Sequence, residues 1–244
     1  MPPISMFRER DRPRAMEFGA CKDCNRGTRG AGIVAAVFAR MHPDHDIMSW
    51  QNLDIKHFVR DLDHDAPGVR EELSQPGRQG ALGSSARRRG CFRTSGRFAL
   101  TAPWVNAYLT VFGAKLAMAL YREHVGEALP MSGATWCQCR LNGSITQEYL
   151  DGLVEMMPGY ETLRQGTKNV GDQFAYRFNT DERTVVAAVA QFHKGLWVTA
   201  LASSDERIVA LLMKPEMLRL PGSALIRAGE LLSRLPQRSS PLRT

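Results

Sequence analysis

The sequence predicts an α+β protein, because one strong helical pattern is followed by several short patterns typical of antiparallel strands. The helical pattern is an apolar stripe at the helix period, formed by Trp104, Tyr108, Val111, Phe112, Leu116, Ala119 and Leu120. Its opposite face is also largely apolar, so we expect this helix to lie inside the fold. The strand patterns lie between residues 135 and 202.

Helices are also predicted before the long helix. Apolar residues at helical spacing between Ile33 and Met41 predict a helix that ends at His42-Pro43, since the residue before proline is disfavoured in helices. Gly30 and its neighbouring glycines weaken the prediction for the first turns of this helix. Two short acidic helices are predicted over Leu53–Leu62 and over Pro67–Leu73, the second with proline in its first turn.

The patterns after the long helix alternate between strand and helix. Phe174, Tyr176 and Phe178 alternate with polar residues, as expected of a half-buried strand. Two β-rich runs on either side of His193-Lys194-Gly195 predict a hairpin. The remaining predictions are a strand over 135–141, helices over 146–157 and 205–213, and hairpin strands over 185–192 and 196–202.

Charge and cysteine content narrow the class of protein. The net charge of +7 and five cysteines, an odd number without a secretion signal, indicate a protein of the reducing cytoplasm with an anionic partner such as nucleic acid. The longest apolar run, Trp104 to Tyr121, carries Lys115 in its middle and therefore predicts a buried helix and not a membrane span.

The segment Cys21-Lys22-Asp23-Cys24-Asn25 carries the clearest chemical pattern. Two cysteines three apart at a helix start place both thiolates on one side of a turn, where a tetrahedral zinc ion can take both. Zinc needs two further ligands, so redox chemistry and a pair of unliganded thiols are alternatives. A redox motif would require a preceding strand, which Met16 to Ala20 does not favour.

This segment, together with the Met1-Pro2-Pro3-Ile4 start, resembles bacterial HNH-endonuclease-like proteins of the zinc-bearing type. The resemblance implies a ββα-metal, treble-clef-like module. Cys21 and Cys24 would be the second cysteine pair of a structural zinc site, and Asn25 would help to hold a catalytic divalent metal such as magnesium. The general-base histidine and the first cysteine pair would lie upstream of Met1, so no residue of this sequence is assigned as the base and the chain is expected to be inactive as written.

These observations predict four parts of the chain. Residues 1–75 would be the remnant of the HNH-like module with its following helices, and residues 76–103 a basic linker rich in Gly, Ser and Arg. Residues 104–235 would form the α+β domain, and residues 236–244 a disordered tail.

Six arginines and no acid lie within residues 77–103, so this segment accounts for most of the net charge of +7. Such a segment can neutralise phosphates and bind nucleic acid. A solvated linker and a stretch translated out of frame are the alternatives. The candidate nucleic-acid-binding residues are Arg87, Arg88, Arg89, Arg93 and Arg97.

Other clusters of potential ligands have simpler interpretations. The acidic stretch with His57, Asp61 and His64 is expected to be a solvated helix face, and His42 to Asp46 a polar turn. Cys137 and Cys139 lie on one face of a strand and are expected to be buried thiols. His124 and His193 lie at element ends, where we expect them to cap or to face water.

Two functional hypotheses follow. The first is an HNH-endonuclease-like protein acting on nucleic acid by metal-dependent phosphodiester hydrolysis. The second is a non-enzymatic α+β protein that binds a protein or a small molecule and in which the Cys-x-x-Cys helix is structural. A stoichiometric zinc atom would favour the first hypothesis, and a metal-free folded chain the second.

Overall fold

The structure is a computed structural model that describes residues 22–40, 60–74, 102–141, 146–155 and 163–212, together with residues 3, 6, 7, 13, 14 and 16. Within these residues the helices are α1 (Lys22–Gly27), α2 (Arg29–Arg40), α3 (60–65), α4 (Val69–Ser74), α5 (Pro103–Val125), α6 (Gln147–Glu155) and α7 (Glu206–Leu212). The strands are β1 (Ala134–Leu141), β2 (Arg164–Gln165), β3 (Phe174–Thr180), β4 (Val185–Phe192) and β5 (Leu196–Ser203).

The five strands form one antiparallel sheet in the order β1-β5-β4-β3-β2. The predicted α+β class is therefore confirmed. Strands β4 and β5 pair along their whole length through the turn at residues 193–195, which confirms the predicted hairpin. The helices predicted over 146–157 and 205–213 are also present in the described residues, as Gln147–Glu155 and Glu206–Leu212.

The two faces of the sheet differ because side chains alternate along each strand. The inner face is apolar and packs against α5, with α2 beyond; its central residues are Cys139, Val198, Ala190, Phe192, Phe174 and Tyr176. The outer face carries a small apolar cluster under α7 made of Ala134, Trp136, Val185, Ala187, Leu201 and Val209. Beyond this cluster the outer face is mainly polar and also carries Val189 and Trp197.

Helix α5 lies at the centre of the fold, as its two apolar faces predict. Pro103 stands in its first turn, and Gly126 ends it in the left-handed conformation with φ 89°. At Gly113 the helix comes so close to β1 that a Cβ atom would lie 2.7 Å from the Sγ atom of Cys137. Glycine at this position therefore sets the distance between α5 and the sheet.

The N-terminus of α5 is capped by a residue distant in sequence. Ala102, the N-cap residue, makes no side-chain hydrogen bond to the helix. The Oε2 atom of Glu72 instead accepts hydrogen bonds from the backbone N–H groups of Trp104 at 2.9 Å and Val105 at 3.1 Å. Glu72 is only 2% exposed. Its negative charge is stabilised by these donors and by the positive end of the helix dipole.

Helix α2 begins at Arg29 and includes the glycines that weakened its prediction. Gly30 is required by close packing, because a Cβ atom there would lie 2.0 Å from the carbonyl oxygen of Asp65. The helix predicted over Pro67–Leu73 begins two residues later, at Val69. Gly68 precedes it with φ +88°, so the prediction of proline in its first turn is wrong.

A buried polar cluster joins three distant parts of the chain. The carbonyl oxygen of Met6 accepts hydrogen bonds from Nη2 of Arg40 at 3.0 Å and from Nε2 of His193 at 2.6 Å. Both side chains are 4% exposed. The prediction that His193 caps or faces water is therefore wrong, since its left-handed turn position, φ 48°, directs it into the protein.

One hydrophobic core contains residues of α2, α5 and the sheet, so the described parts before and after the predicted linker share it. Most of the predicted linker 76–103 and the whole predicted tail 236–244 lie outside the described residues; Ala102 and Pro103 begin α5. None of the helices in the described ranges is long and apolar enough to cross a bilayer.

Candidate functional site

The Cys-x-x-Cys segment leads directly into a helix, because α1 starts at Lys22, one residue after Cys21. Cys21 and the side chain of Cys24, two of the predicted metal ligands, lie outside what the structure describes. Asn25, the third, is exposed on α1. The predicted zinc pair therefore stays a prediction, while the structure describes the contacts of Asn25.

Helix α1 is held against α5 by a lysine. The Nζ atom of Lys115, a half-buried residue of α5, donates to Oγ1 of Thr28 at 2.9 Å and to Oδ1 of Asn25 at 3.4 Å. Thr28 is 3% exposed, and its hydroxyl in turn donates to the carbonyl oxygen of Asn25 at 3.3 Å. The side-chain oxygen proposed to hold a metal thus accepts a hydrogen bond from an ammonium group.

The other predicted ligand clusters are not assembled into a metal site by the described residues. His64 is exposed, with Nδ1 3.0 Å from Oδ1 of Asp65, and Asp65 also pairs with Arg29 at 2.9 Å. Asp63 pairs with Arg70. Within residues 22–40, 60–74, 102–141, 146–155 and 163–212, no group of three His, Cys, Asp or Glu side chains could hold a metal ion.

The five candidate nucleic-acid-binding arginines, Arg87, Arg88, Arg89, Arg93 and Arg97, all lie outside the described residues, as do His42 and His57. Cys137 and Cys139 face α5 and donate to its carbonyl oxygens, at 3.2 Å to Thr110 and 3.4 Å to Leu109. Cys139 is buried, and burial raises the pKa of its thiol well above the usual value. The expected burial is confirmed for Cys139, whereas Cys137 is only partly buried.

A polar cluster on the outer face of the sheet was not predicted from the sequence. The hydroxyl of Tyr149, on α6, lies 2.5 Å from Oγ1 of Thr199 and donates to Oε1 of Gln138 at 3.4 Å. Nε of Arg140 donates to the same Gln138 oxygen at 3.2 Å, and the Arg140 guanidinium lies 4.1 Å from the centre of the Tyr149 ring. These contacts fix a tyrosine and an arginine side by side on a half-buried surface.

Trp197 extends this cluster. It lies directly opposite Arg140 in the β1–β5 pair and opposite Gln191 in the β4–β5 pair, so all three side chains share the outer face. Its indole Nε1 is buried and has no hydrogen-bond partner among the described residues. We call the set Gln138, Arg140, Tyr149, Gln191, Trp197 and Thr199 the outer polar cluster.

The sequence contained a sign of this cluster. The alternation that places Cys137 and Cys139 on one face of β1 places Gln138 and Arg140 on the other. Nothing local pointed to Tyr149, which arrives from a separate helix. The described strands contain three arginines, Arg140, Arg164 and Arg177, and no acidic residue. The cluster is therefore suited to groups that accept hydrogen bonds and carry negative charge.

A second unusual environment surrounds His124 at the end of α5. Its ring is stacked on Phe178 with the centroids 3.6 Å apart, and its Nε2 atom is buried without a partner in the described part of the chain. Burial lowers the pKa of His124 to about 4, and the nearby charge of Arg164 lowers it further. His124 is therefore neutral near neutral pH and is held by ring stacking, contrary to the prediction that it caps or faces water.

No family model, curated protein or solved structure matches the chain. Its function is therefore inferred from the residues and their geometry.

Proposed function

We propose that this protein is a non-enzymatic binding protein in which the Cys-x-x-Cys helix is structural and the α+β unit carries the binding surface. The observation that supports this proposal is the contact of Lys115 with Asn25 and Thr28. This contact attaches α1 to the central helix α5. It involves Asn25, the residue at which the HNH resemblance implies a catalytic metal.

A divalent cation bound to Oδ1 of Asn25 would compete with the Lys115 ammonium, which lies 3.4 Å from the same oxygen. Two positive charges within about 4 Å repel by roughly 4 kcal/mol per pair of unit charges at the effective dielectric constant of a protein surface. Metal binding at Asn25 would therefore require Lys115 to move away and to lose its hydrogen bond to Thr28.

The second candidate is the HNH-endonuclease-like function, with a structural zinc at Cys21 and Cys24, a divalent metal such as magnesium at Asn25 and a nucleic-acid substrate. The observation that supports it is helix α1 over Lys22–Gly27, since the resemblance implies a helix at Cys24 and Asn25. The arginines from Arg87 to Arg97 would contribute phosphate contacts.

The deciding experiment uses the full chain. Its metal content is measured by mass spectrometry, and its magnesium-dependent cleavage of plasmid DNA is assayed. We expect a folded chain without stoichiometric metal and without cleavage. Cleavage abolished both by chelator and by Asn25→Ala would overturn the binding-protein proposal. Zinc at one atom per chain, lost in both Cys21→Ser and Cys24→Ser, would favour the second candidate, since two ligands of one ion act together.

Lys115→Met separates the two candidates further. If the lysine is structural, this variant melts at a lower temperature and gains no affinity for magnesium, because the hydrogen bonds to Thr28 and Asn25 are lost. If Asn25 is a metal ligand, removing the neighbouring charge increases magnesium affinity. The matched control is Lys22→Met, which removes an exposed lysine from α1 itself.

Nucleic-acid binding is tested separately from cleavage. If the basic segment binds phosphates, replacing Arg87, Arg88 and Arg89 by Ala reduces the slope of log affinity against log salt by up to about 2.7, at about 0.9 per contact. An unchanged slope would assign any binding to another surface, or show that the segment is a linker.

A further inference from the structure

The outer face of the sheet is not equally exposed along its strands. Its side chains form rows across the sheet, and the row under α7 is buried; it consists of Trp136, Leu201, Ala187 and Asn179. The row nearest the β4–β5 turn is half-buried at every position; it consists of Arg140, Trp197, Gln191 and Ala175. We call this second set the turn-side row. It crosses four strands and is therefore about 14 Å long at ordinary strand spacing.

Trp197 presents apolar surface near the middle of the turn-side row. Its main chain is paired with β1 on one side and with β4 on the other, and its indole Nε1 atom is buried. The accessible area of this residue therefore belongs mainly to ring carbons. Such a surface can pack against another flat ring without any hydrogen bond to the indole.

Arg140 places an oriented positive charge directly beside this ring, because the two residues are cross-strand partners. Its guanidinium lies 4.1 Å from the centre of the Tyr149 ring, and its Nε atom donates to Gln138. No residue in the described part of the chain accepts from its two Nη groups. Since Arg140 is half-buried, these donors are oriented and can be reached by the oxygens of an anionic group.

The charge on this face favours an extended anion. Arg177 is exposed on the same face, about 16 Å from Arg140 when strand spacing and rise per residue are combined. The described strands contain no Asp or Glu. Glu148 and Asp151 of α6 are exposed, where solvent and salt screen their charge. A partner that contacts both arginines must carry negative charges separated by a similar distance.

We propose that the turn-side row, together with Arg177, binds single-stranded nucleic acid, with a base packing against the exposed ring carbons of Trp197 and phosphates pairing with Arg140 and Arg177. A chain with a flat base and a phosphate in every unit matches an aromatic ring between two cations. An acidic peptide supplies the charge without the regularly spaced rings. This inference rests on the proposed binding function and names its partner. It involves recognition only, with no covalent step.

The test measures binding of a short fluorescein-labelled oligothymidine to the full chain by fluorescence anisotropy at several salt concentrations. Because the basic segment can bind the same probe, each variant is measured with and without replacement of Arg87, Arg88 and Arg89 by Ala. Arg140→Gln and Arg177→Gln should each reduce the slope of log affinity against log salt by about 0.7, the value for one phosphate contact with a single strand. Trp197→Leu should weaken binding by about tenfold at unchanged slope, since it removes stacking and no charge.

Two controls separate this site from general effects. Arg164→Gln removes an exposed arginine of the same sheet that lies opposite Phe178, on the inner side, and it should change neither the slope nor the affinity. Trp197→Phe keeps an aromatic ring and should retain most of the binding. It also serves if Trp197→Leu does not fold, which denaturant unfolding would reveal.

Unchanged slopes in both Arg140→Gln and Arg177→Gln would overturn the site, as would loss of all binding when only Arg87, Arg88 and Arg89 are replaced. Equal or tighter binding of a duplex of the same length, or of polyglutamate, would overturn the single-stranded nucleic acid as the partner. None of these results bears on the binding-protein proposal, whose failure would be seen independently as metal-dependent DNA cleavage.

Discussion

The inner and outer faces of the sheet are built from the same strands but are covered differently. The inner face is covered by α5 over β1, β5 and β4 and by Phe7 at Phe174, and its aromatic residues Phe174, Tyr176 and Phe192 are at most 1% exposed. The outer face is covered under α7, where Trp136 and Leu201 lie, and also at its centre, where Thr199 is 4% and Val189 5% exposed. Across the rest of it, Arg140 and Trp197 remain partly exposed.

The two faces therefore have different roles: the inner face mainly stabilises the fold, and the outer face can recognise a ligand. Apolar burial on the inner face supplies most of the driving force for folding, and it leaves few groups able to recognise a partner. The outer face carries oriented donors and aromatic rings at partial exposure, which contribute less to folding but can contact a ligand. Variants on opposite faces of the same strand can test this division.

Phe192→Ala should have the largest effect. Its side chain is fully buried and packs edge-on against Phe112 with centroids 5.3 Å apart. Truncation leaves a cavity and should lower the free energy of unfolding by about 3–5 kcal/mol. Its sequence neighbour on the outer face provides the control: Gln191→Ala should change stability by no more than about 0.5 kcal/mol. Denaturant unfolding measures both, and similar losses for the two would remove the proposed distinction between the faces.

Glu72→Ala should rank second, because it removes the cap of the helix that covers the inner face. Two buried backbone donors, at Trp104 and Val105, would lose their acceptor. The expected loss is about 1–3 kcal/mol in the free energy of unfolding. Glu71→Ala, on the exposed side of the same helix, is the matched control. If the Glu72 cap does not stabilise the protein, the Glu72→Ala and Glu71→Ala variants will have equal melting temperatures.

Glu72 also shows what local sequence could not predict. The stripe from Trp104 to Leu120 predicted α5 and its burial, because a helix apolar on all sides has no face for water. The residue that caps the helix, Glu72, lies 32 residues before Trp104 in the chain. The alternation of side chains along β1 predicts that Arg140 lies on the outer face, but it does not predict the contact of Arg140 with Tyr149. The spacing of apolar residues in the sequence predicts which side chains are buried, whereas a binding site depends on contacts between elements that are distant in the sequence.

The same limit explains the errors at the histidines. The sequence correctly predicts that His193 lies in a hairpin turn. Because turns are usually solvated, its side chain was expected at the surface. The structure brings Met6 and Arg40 over that turn, so the imidazole is buried. Local patterns cannot predict such coverage by a distant segment. The site prediction at Cys21, Cys24 and Asn25 depended on a resemblance, and the Lys115 contact with Asn25 could be found only once α1 and α5 were placed side by side.

Acid should destabilise the inner face through His124. The pKa of His124 is lowered to about 4 in the folded protein, against 6.5 for an ordinary histidine. The unfolded chain therefore binds more protons between these values, and the free energy of unfolding falls as the pH falls from about 6.5 to about 4. Since the ring is only partly buried, we expect a loss of about 1–2 kcal/mol.

Urea unfolding at several pH values measures this loss. His124→Gln should flatten the pH dependence within that window. Asp181, whose carboxylate accepts several hydrogen bonds that lower its pKa to about 2, loses its contribution only at lower pH. If the free energy of unfolding depends on pH in the same way in His124→Gln, the acid sensitivity comes from other groups.

The smallest expected effect lies on the outer face, in the bond between Tyr149 and Thr199. Thr199→Val keeps the shape of the side chain but removes the hydroxyl 2.5 Å from the tyrosine oxygen. Tyr149→Phe removes the other partner. Each change should cost about 1 kcal/mol, and the double variant should cost less than their sum, because the bond is lost only once. Denaturant unfolding of the four proteins gives the coupling energy. Additive losses would mean that the bond to Thr199 does not hold α6 over the sheet, and the orientation of the outer polar cluster would then depend on the contacts of Tyr149 with Arg140 and Gln138.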